Sequence, residues 1–129
     1  MSSQGIASLI AVLILGGLIV FQLLLALGVP WGAAAWGGEH SGALPSNLRW
    51  GSVAAAGILG LAMWMVLARA GWLAPGSNVL WVKIVTWAFT GYFAFNVVMN
   101  VLSKSALERA IMTPVSAILV VCLVLVSLL

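Results

Sequence analysis

Between Gly5 and Leu27 the chain carries no charged side chain. At about 1.5 Å per residue, a helix over these roughly 23 residues exceeds the roughly 30 Å hydrocarbon core of a bilayer. No other feature constrains the fold as tightly. A run this long and apolar has to satisfy its backbone polar groups internally, and in lipid a helix does so. Three further apolar runs follow, at about 48–70, 79–102 and 106–128, so the expected fold is all-α, a bundle of four transmembrane helices in a single membrane domain. Composition agrees: 64% of the 129 residues are hydrophobic and 5% are charged, against roughly 25% charged in a soluble domain. Lipid must then be the bulk solvent. A signal peptide is the competing reading of the first run, with Ala26-Leu27-Gly28 as a loose cleavage site. The Met1-Ser-Ser-Gln start lacks Lys and Arg, however, and the run is longer than a signal core, so a retained helix is expected.

The connecting segments carry local stop and start signals. Gly28 followed by Pro30 reads as the end of the first helix, and Gly71 as the end of the second. Ser46 or Asn47 is expected to cap the second helix, and Ser77 or Asn78, after the Pro75-Gly76 turn, the third. The segment 29–47 is long, rich in Gly and Ala, and holds Trp31, Trp36, Glu39, His40 and Pro45. Its tryptophans suit the headgroup region, so it is expected to lie along the membrane surface. Arg49 with Trp50, and Arg69 with Trp72, read as interfacial anchors at the two ends of the second helix, and Lys83 is shallow enough in the third to snorkel. Ser52, Ala56 and Gly60, spaced by four, form a stripe of small residues suited to close helix packing, as does Gly16-Gly17 in the first helix. Gln22 is the strongly polar residue of the first helix and should face another helix, since an amide in hydrocarbon needs a partner.

Polarity is concentrated at the last junction. At 100° per residue, Asn96, Asn100 and Ser103 fall within about 60° of one another on the third helix, and two amides on one face should point into the bundle. Ser105 and Glu108 fit a capping box at the start of the fourth helix. Arg109 sits at the positive end of that helix and needs an anion, for which Glu39 is a candidate. Pro114 is expected to kink the helix, with Thr113 helping to satisfy the carbonyl it frees.

Four spans place the 29–47 loop and the Leu102–Arg109 junction on one membrane face. That face carries Arg49, Lys104 and Arg109 against Arg69 and Lys83 on the other; positive-inside counting makes it cytoplasmic by one charge, a bias that insertion in both orientations would also show. A bacterial inner membrane is the expected location. In size, span number and near-balanced charge the chain resembles the small multidrug resistance transporters, which implies an antiparallel dimer. That family's hallmark acid in the first helix is absent here, since Gly5–Leu27 has none. The run Asn96-x3-Asn100-x2-Ser103-x-Ser105-x2-Glu108-Arg109 has the look of a signature, and the chain resembles the short four-span membrane proteins of bacteria.

Scattered single cations give no nucleic-acid footprint. Cys122 is alone, and no Cys or His cluster suits a metal. With no phosphate-binding Gly-rich loop and no paired histidines for haem, no cofactor is expected. Lipid and a homo-oligomer or larger membrane assembly are the expected partners. Three readings of function remain. One is a non-catalytic oligomerising or accessory membrane subunit. The second is a transporter or channel for a small or lipophilic solute, with a polar cavity near Asn96, Asn100 and Glu108 and with Arg109 at its mouth; Ser103, Glu39, His40 and Gln22 complete the candidate polar cluster. The third is a headgroup-level enzyme using Glu39, His40, Glu108 and Arg109.

Overall fold

The computed structural model describes residues 1–128, which are helical or in turns with no strand among them. Four helices, α1 (Ser3–Ala26), α2 (Ser46–Arg69), α3 (Leu80–Val101) and α4 (Ala106–Ser127), are each long and apolar enough to cross a membrane. The chain is therefore a multi-pass membrane protein. Two single 3-10 turns, Gly32–Ala34 and Trp36–Gly38, give the α1–α2 loop a structure that its composition does not announce.

Glycine ends two of the helices for the same physical reason. Gly28 and Gly71 adopt left-handed φ values of 97° and 81°, which Gly reaches without a Cβ clash. Each turn lets the last carbonyls be recaptured: Val29 N–H donates to Leu24 O (3.1 Å) and Gly28 N–H to Leu25 O (3.1 Å), while Trp72 N–H donates to Leu67 O (2.9 Å) and Gly71 N–H to Ala68 O (3.0 Å). These are Schellman closures. At the starts, Ser105 caps α4 as expected, its Oγ accepting from Glu108 N–H at 3.3 Å. The caps expected for α2 and α3 are not used. α2 takes Ser46 into its first turn with Pro45 in the cap position, and α3 begins one residue after an uncapped Val79. Pro45 and Val79 are already extended (ψ of 161° and 126°), so each helix starts by backbone geometry alone.

The helices form a ring in the order α2, α1, α4, α3. The α1–α2 and α3–α4 edges are the most extensive, α1 closes on α4, and α2–α3 is the thinnest edge. Ala7, Ala11 and Leu15 on α1 meet Leu59, Ala62 and Val66 on α2 and Leu119, Leu123 and Val126 on α4 in the main core. In lipid no hydrophobic force drives this contact; small side chains let the backbones approach and gain dispersion energy. The approaching face of α1 is thus its Ala7–Ala11–Leu15 stripe. Gly17 of the Gly16-Gly17 pair faces outward with open space beside it. On α2, Ser52 and Ala56 are buried, whereas Gly60 is only half-buried with nothing against it. A spacing of four residues drifts about 40° per step, so the third position has rotated away from the contact.

Near the α2–α3 turn this thin edge has a small cluster of its own. Met65 and Ala68 on α2 pack with Val82 on α3, and Trp64 meets Trp81 edge-on, centroids 5.9 Å apart. Arg69, expected as an exposed anchor, is buried there and donates through Nη1 to Ser77 O at 3.0 Å. All these residues lie near the chain termini and the α2–α3 turn. At the opposite end, where the α1–α2 loop and the α3–α4 junction sit, all four helices line a cavity.

Candidate functional site

The α1–α2 loop is the cap over that end. Lys104 N–H donates to Gly37 O (3.2 Å), tying the loop to the α3–α4 junction. Gly38 lies so close to Ser105 that a Cβ there would overlap it. Trp36 is held in a left-handed conformation (φ 53°), which is unusual for an aromatic residue. Its indole Nε1 donates to Ser52 Oγ at 3.1 Å and its ring lies across Gly51. This clamp joins the loop to α2. Arg49 Nε donates to Ala26 O at 2.9 Å, capping the α1 C-terminus from α2. The loop therefore lies over the junction as a fitted cover.

Beneath it lies a cavity of about 450 Å³, within the range of small-molecule sites. Its walls come from all four helices: Leu18, Phe21 and Gln22 on α1, Ala55, Ile58 and Leu59 on α2, residues from Tyr92 to Asn100 on α3, and residues from Glu108 to Leu119 on α4. Residues Ala34 to Gly37 form the roof. Most of the wall is apolar. The polar lining is Gln22, Asn96, Asn100, Glu108 and Ser116, with Tyr92 and Trp36 at the edges.

Two of these polar groups are unsatisfied. Glu108 is 4% exposed, and its Oε2 has no hydrogen-bond partner. Gln22 Oε1 is likewise buried and unpartnered. The interhelical partner expected for Gln22 Oε1 is absent: the residue lines the cavity, while this oxygen is buried without a hydrogen bond. Glu108 departs from a full capping box. Ser105 N–H is taken by Ser103 Oγ at 3.1 Å, and the Glu108 carboxyl turns inward, with the Ser103 side chain and the Gly37 backbone in hydrogen-bonding range. No cation comes to it. Arg109 is exposed and donates to the Ser103 carbonyl. Glu39, the anion expected for Arg109, pairs instead with Lys104 at 3.3 Å on the surface, the one ion pair among the described residues.

Asn100 is fixed rather than free. Its Nδ2 donates to Ser116 Oγ (3.0 Å) and to Met112 O (3.3 Å), joining α3 to α4 on the cavity wall. Ser116 in turn donates to Met112 O at 2.6 Å. Asn96, one turn back, lines the cavity half-buried. α4 continues through Pro114 as one helix. Thr113, expected to relieve it, has a buried Oγ1 with no partner. Of the polar set read from the sequence, the structure gathers Gln22, Asn96, Asn100 and Glu108 around one cavity. Ser103 is buried in the turn behind Glu108, Arg109 lies outside, and neither Glu39 nor His40 lines the space. Ser116 and the Trp36 roof were not singled out for this site: a serine in an apolar run reads as packing, and the Trp36 contact is long-range.

Among the described residues no group of His, Cys, Asp and Glu could hold a metal ion. No protein-family model, curated protein or solved structure matches the chain. The class that the fold defines is thus a small four-helix membrane bundle.

Proposed function

We propose that the protein takes a small amphiphilic solute into the loop-end cavity, as a transporter or channel of a bacterial cytoplasmic membrane. One observation carries this reading: a cavity of about 450 Å³ walled by all four helices, mostly apolar, with Gln22, Asn96, Asn100, Glu108 and Ser116 as its polar lining; beside it Glu108 Oε2 and Gln22 Oε1 are buried without a hydrogen bond. A buried acceptor without a hydrogen bond costs roughly 1–3 kcal/mol, and a carboxylate costs more. The rest of the wall is apolar, which suits a body of hydrocarbon or aromatic rings. The oligomerising or accessory-subunit reading has less support, because Ser52 and Ala56 of its small-residue stripe are buried within the chain itself. The enzyme reading loses its acid-base pair, since Glu39 and His40 lie outside the cavity lining.

The test is binding and flux in proteoliposomes for a panel of amines, alcohols and amides with short and long alkyl chains. Wild type should bind members of the panel saturably. Gln22→Leu should weaken them by about tenfold, the equivalent of one hydrogen bond at about 1.4 kcal/mol. Asn100→Leu should alter flux as well as stability, since it reshapes the wall. Flux and binding identical in wild type and both variants would end the proposal.

A further inference from the structure

The chain has five Lys and Arg side chains against two acids, and three of the five are drawn into the protein. Arg69 is buried, with Nη1 donating to Ser77 O. Arg49 is half-buried and donates through Nε to Ala26 O, and Lys83 is half-buried on α3. The two that stay exposed, Lys104 and Arg109, stand together at the α3–α4 junction. Neither acid answers Arg109: Glu39 pairs with Lys104 at 3.3 Å, and Glu108 is buried. Among the described residues Arg109 therefore has no acidic partner. Its Nη1 donates to the Ser103 carbonyl, which holds the guanidinium at the junction beside Lys104. The helix gains nothing from this charge, since a cation in the first turn opposes the macrodipole. Arg109 lies about 4.5 Å from the start of α4 at 1.5 Å per residue. Trp31 and Trp50 are exposed at the same end of the bundle, the position of aromatic side chains at headgroup level. The small side chains of Ala106 and Ala110, both exposed, leave Arg109 uncovered.

We infer that Arg109, with Lys104 beside it, is a docking site for the phosphate of an anionic phospholipid. A guanidinium presents a planar fork of N–H donors that matches phosphate oxygens two at a time. The Ser103 contact uses one nitrogen and orients the rest before a lipid arrives. The charge of the lipid is assigned by complementarity. Two exposed cations against one exposed acid leave this junction net positive. A choline head would bring its own cation to it, whereas a glycerol head brings none. The lipid source is assigned by the surroundings: Leu102 and Leu107 are exposed on either side of the junction, as suits a surface in contact with acyl chains. Arg109 and Lys104 lie outside the cavity lining, so this site stands apart from the solute reading.

The test is lipid retention by the full chain in detergent micelles, read by native mass spectrometry. Phosphatidylglycerol and phosphatidylcholine are offered in equal amounts, with no solute present. Wild type should retain phosphatidylglycerol in preference. Arg109→Gln should weaken that retention by about tenfold, and Arg109→Lys should recover part of the loss, because it keeps the charge without the fork. Lys83→Gln, which removes a cation from the body of α3, should leave retention unchanged. Glu39→Gln frees Lys104 and should raise retention, which keeps the site testable if Arg109→Gln does not fold. Equal retention of the two lipids by wild type, or no change in either Arg109 variant, would overturn the site. A loss in Lys83→Gln equal to that in Arg109→Gln would replace it with a diffuse attraction to net charge. A fall in Glu39→Gln would remove Lys104 from it. Displacement of phosphatidylglycerol by an excess of inorganic phosphate would show that the site takes free phosphate and would overturn the lipid assignment. Solute binding is measured separately, so failure of either reading leaves the other standing.

Discussion

The two ends of this bundle treat polar groups in opposite ways. Near the termini and the α2–α3 turn, every buried hydroxyl has somewhere to go. Thr86 donates to Val82 O (2.7 Å), Thr90 to Thr86 O (2.8 Å), and Thr90 and Ser127 meet across α3 and α4 at 3.0 Å. Ser8 donates to Gln4 O at 2.8 Å. At the loop end, one oxygen each of Gln22 and Glu108 is buried beside the cavity without a hydrogen bond. Both ends are made of the same helices in the same solvent. The difference teaches that buried hydroxyls at the closed end are satisfied locally, within α1 or α3 and once between α3 and α4, whereas the loop end leaves two buried acceptors unsatisfied, which is what supports the proposed solute site. Asn100 is the boundary case, a cavity-lining amide whose Nδ2 is engaged with α4.

Substitutions can break or sharpen this contrast. The largest effect is expected in the shared core of the closed end. Leu15→Ala and Leu123→Ala each empty a site of 0% exposure and should destabilise by about 2–5 kcal/mol, read by unfolding in mixed micelles, with little change in solute binding. Gln22→Leu should do the reverse. It removes a buried unpaired acceptor, whose cost is roughly 1–3 kcal/mol, so unfolding should require as much free energy as wild type or more, while binding falls. Thr90→Val breaks the Ser127 contact and should cost about 0.6 kcal/mol, the average for interhelical hydrogen bonds in lipid, again with binding intact. Lys104→Ala removes an ion pair whose partners are both largely exposed; such pairs are worth about 0–1 kcal/mol at most, and the same unfolding assay should barely register it.

What the sequence could say follows the range of the interactions involved. The four spans are legible because a charge-free run reports its own solvent. Gly28, Gly71 and the Ser105 cap are legible because each acts within one turn of chain. Gln22, Asn96 and Asn100 stand out as amides in apolar runs, and all three line the cavity. Their separate fates were not legible, since whether an amide finds a partner depends on what the facing helix presents. Asn100 meets Ser116, and Gln22 Oε1 is buried with no donor in reach. Glu108 shows the same limit. Its spacing from Ser105 describes a cap, and its backbone fills that role, but Ser103 takes the donor that the carboxyl would have used. Arg49 and Trp36 read as surface anchors, yet one caps α1 and the other clamps the roof to α2. Arg69 reads as an anchor too, and is buried.

The contrast between the ends is tested most directly by the unfolding free energy of Gln22→Leu without ligand, compared with wild type. A stability equal to or above wild type, together with lost amphiphile binding, is the predicted result. A loss of about 1 kcal/mol or more would mean that Gln22 serves the fold as Thr90 does, and would contradict the division between a structural end and a ligand-holding end.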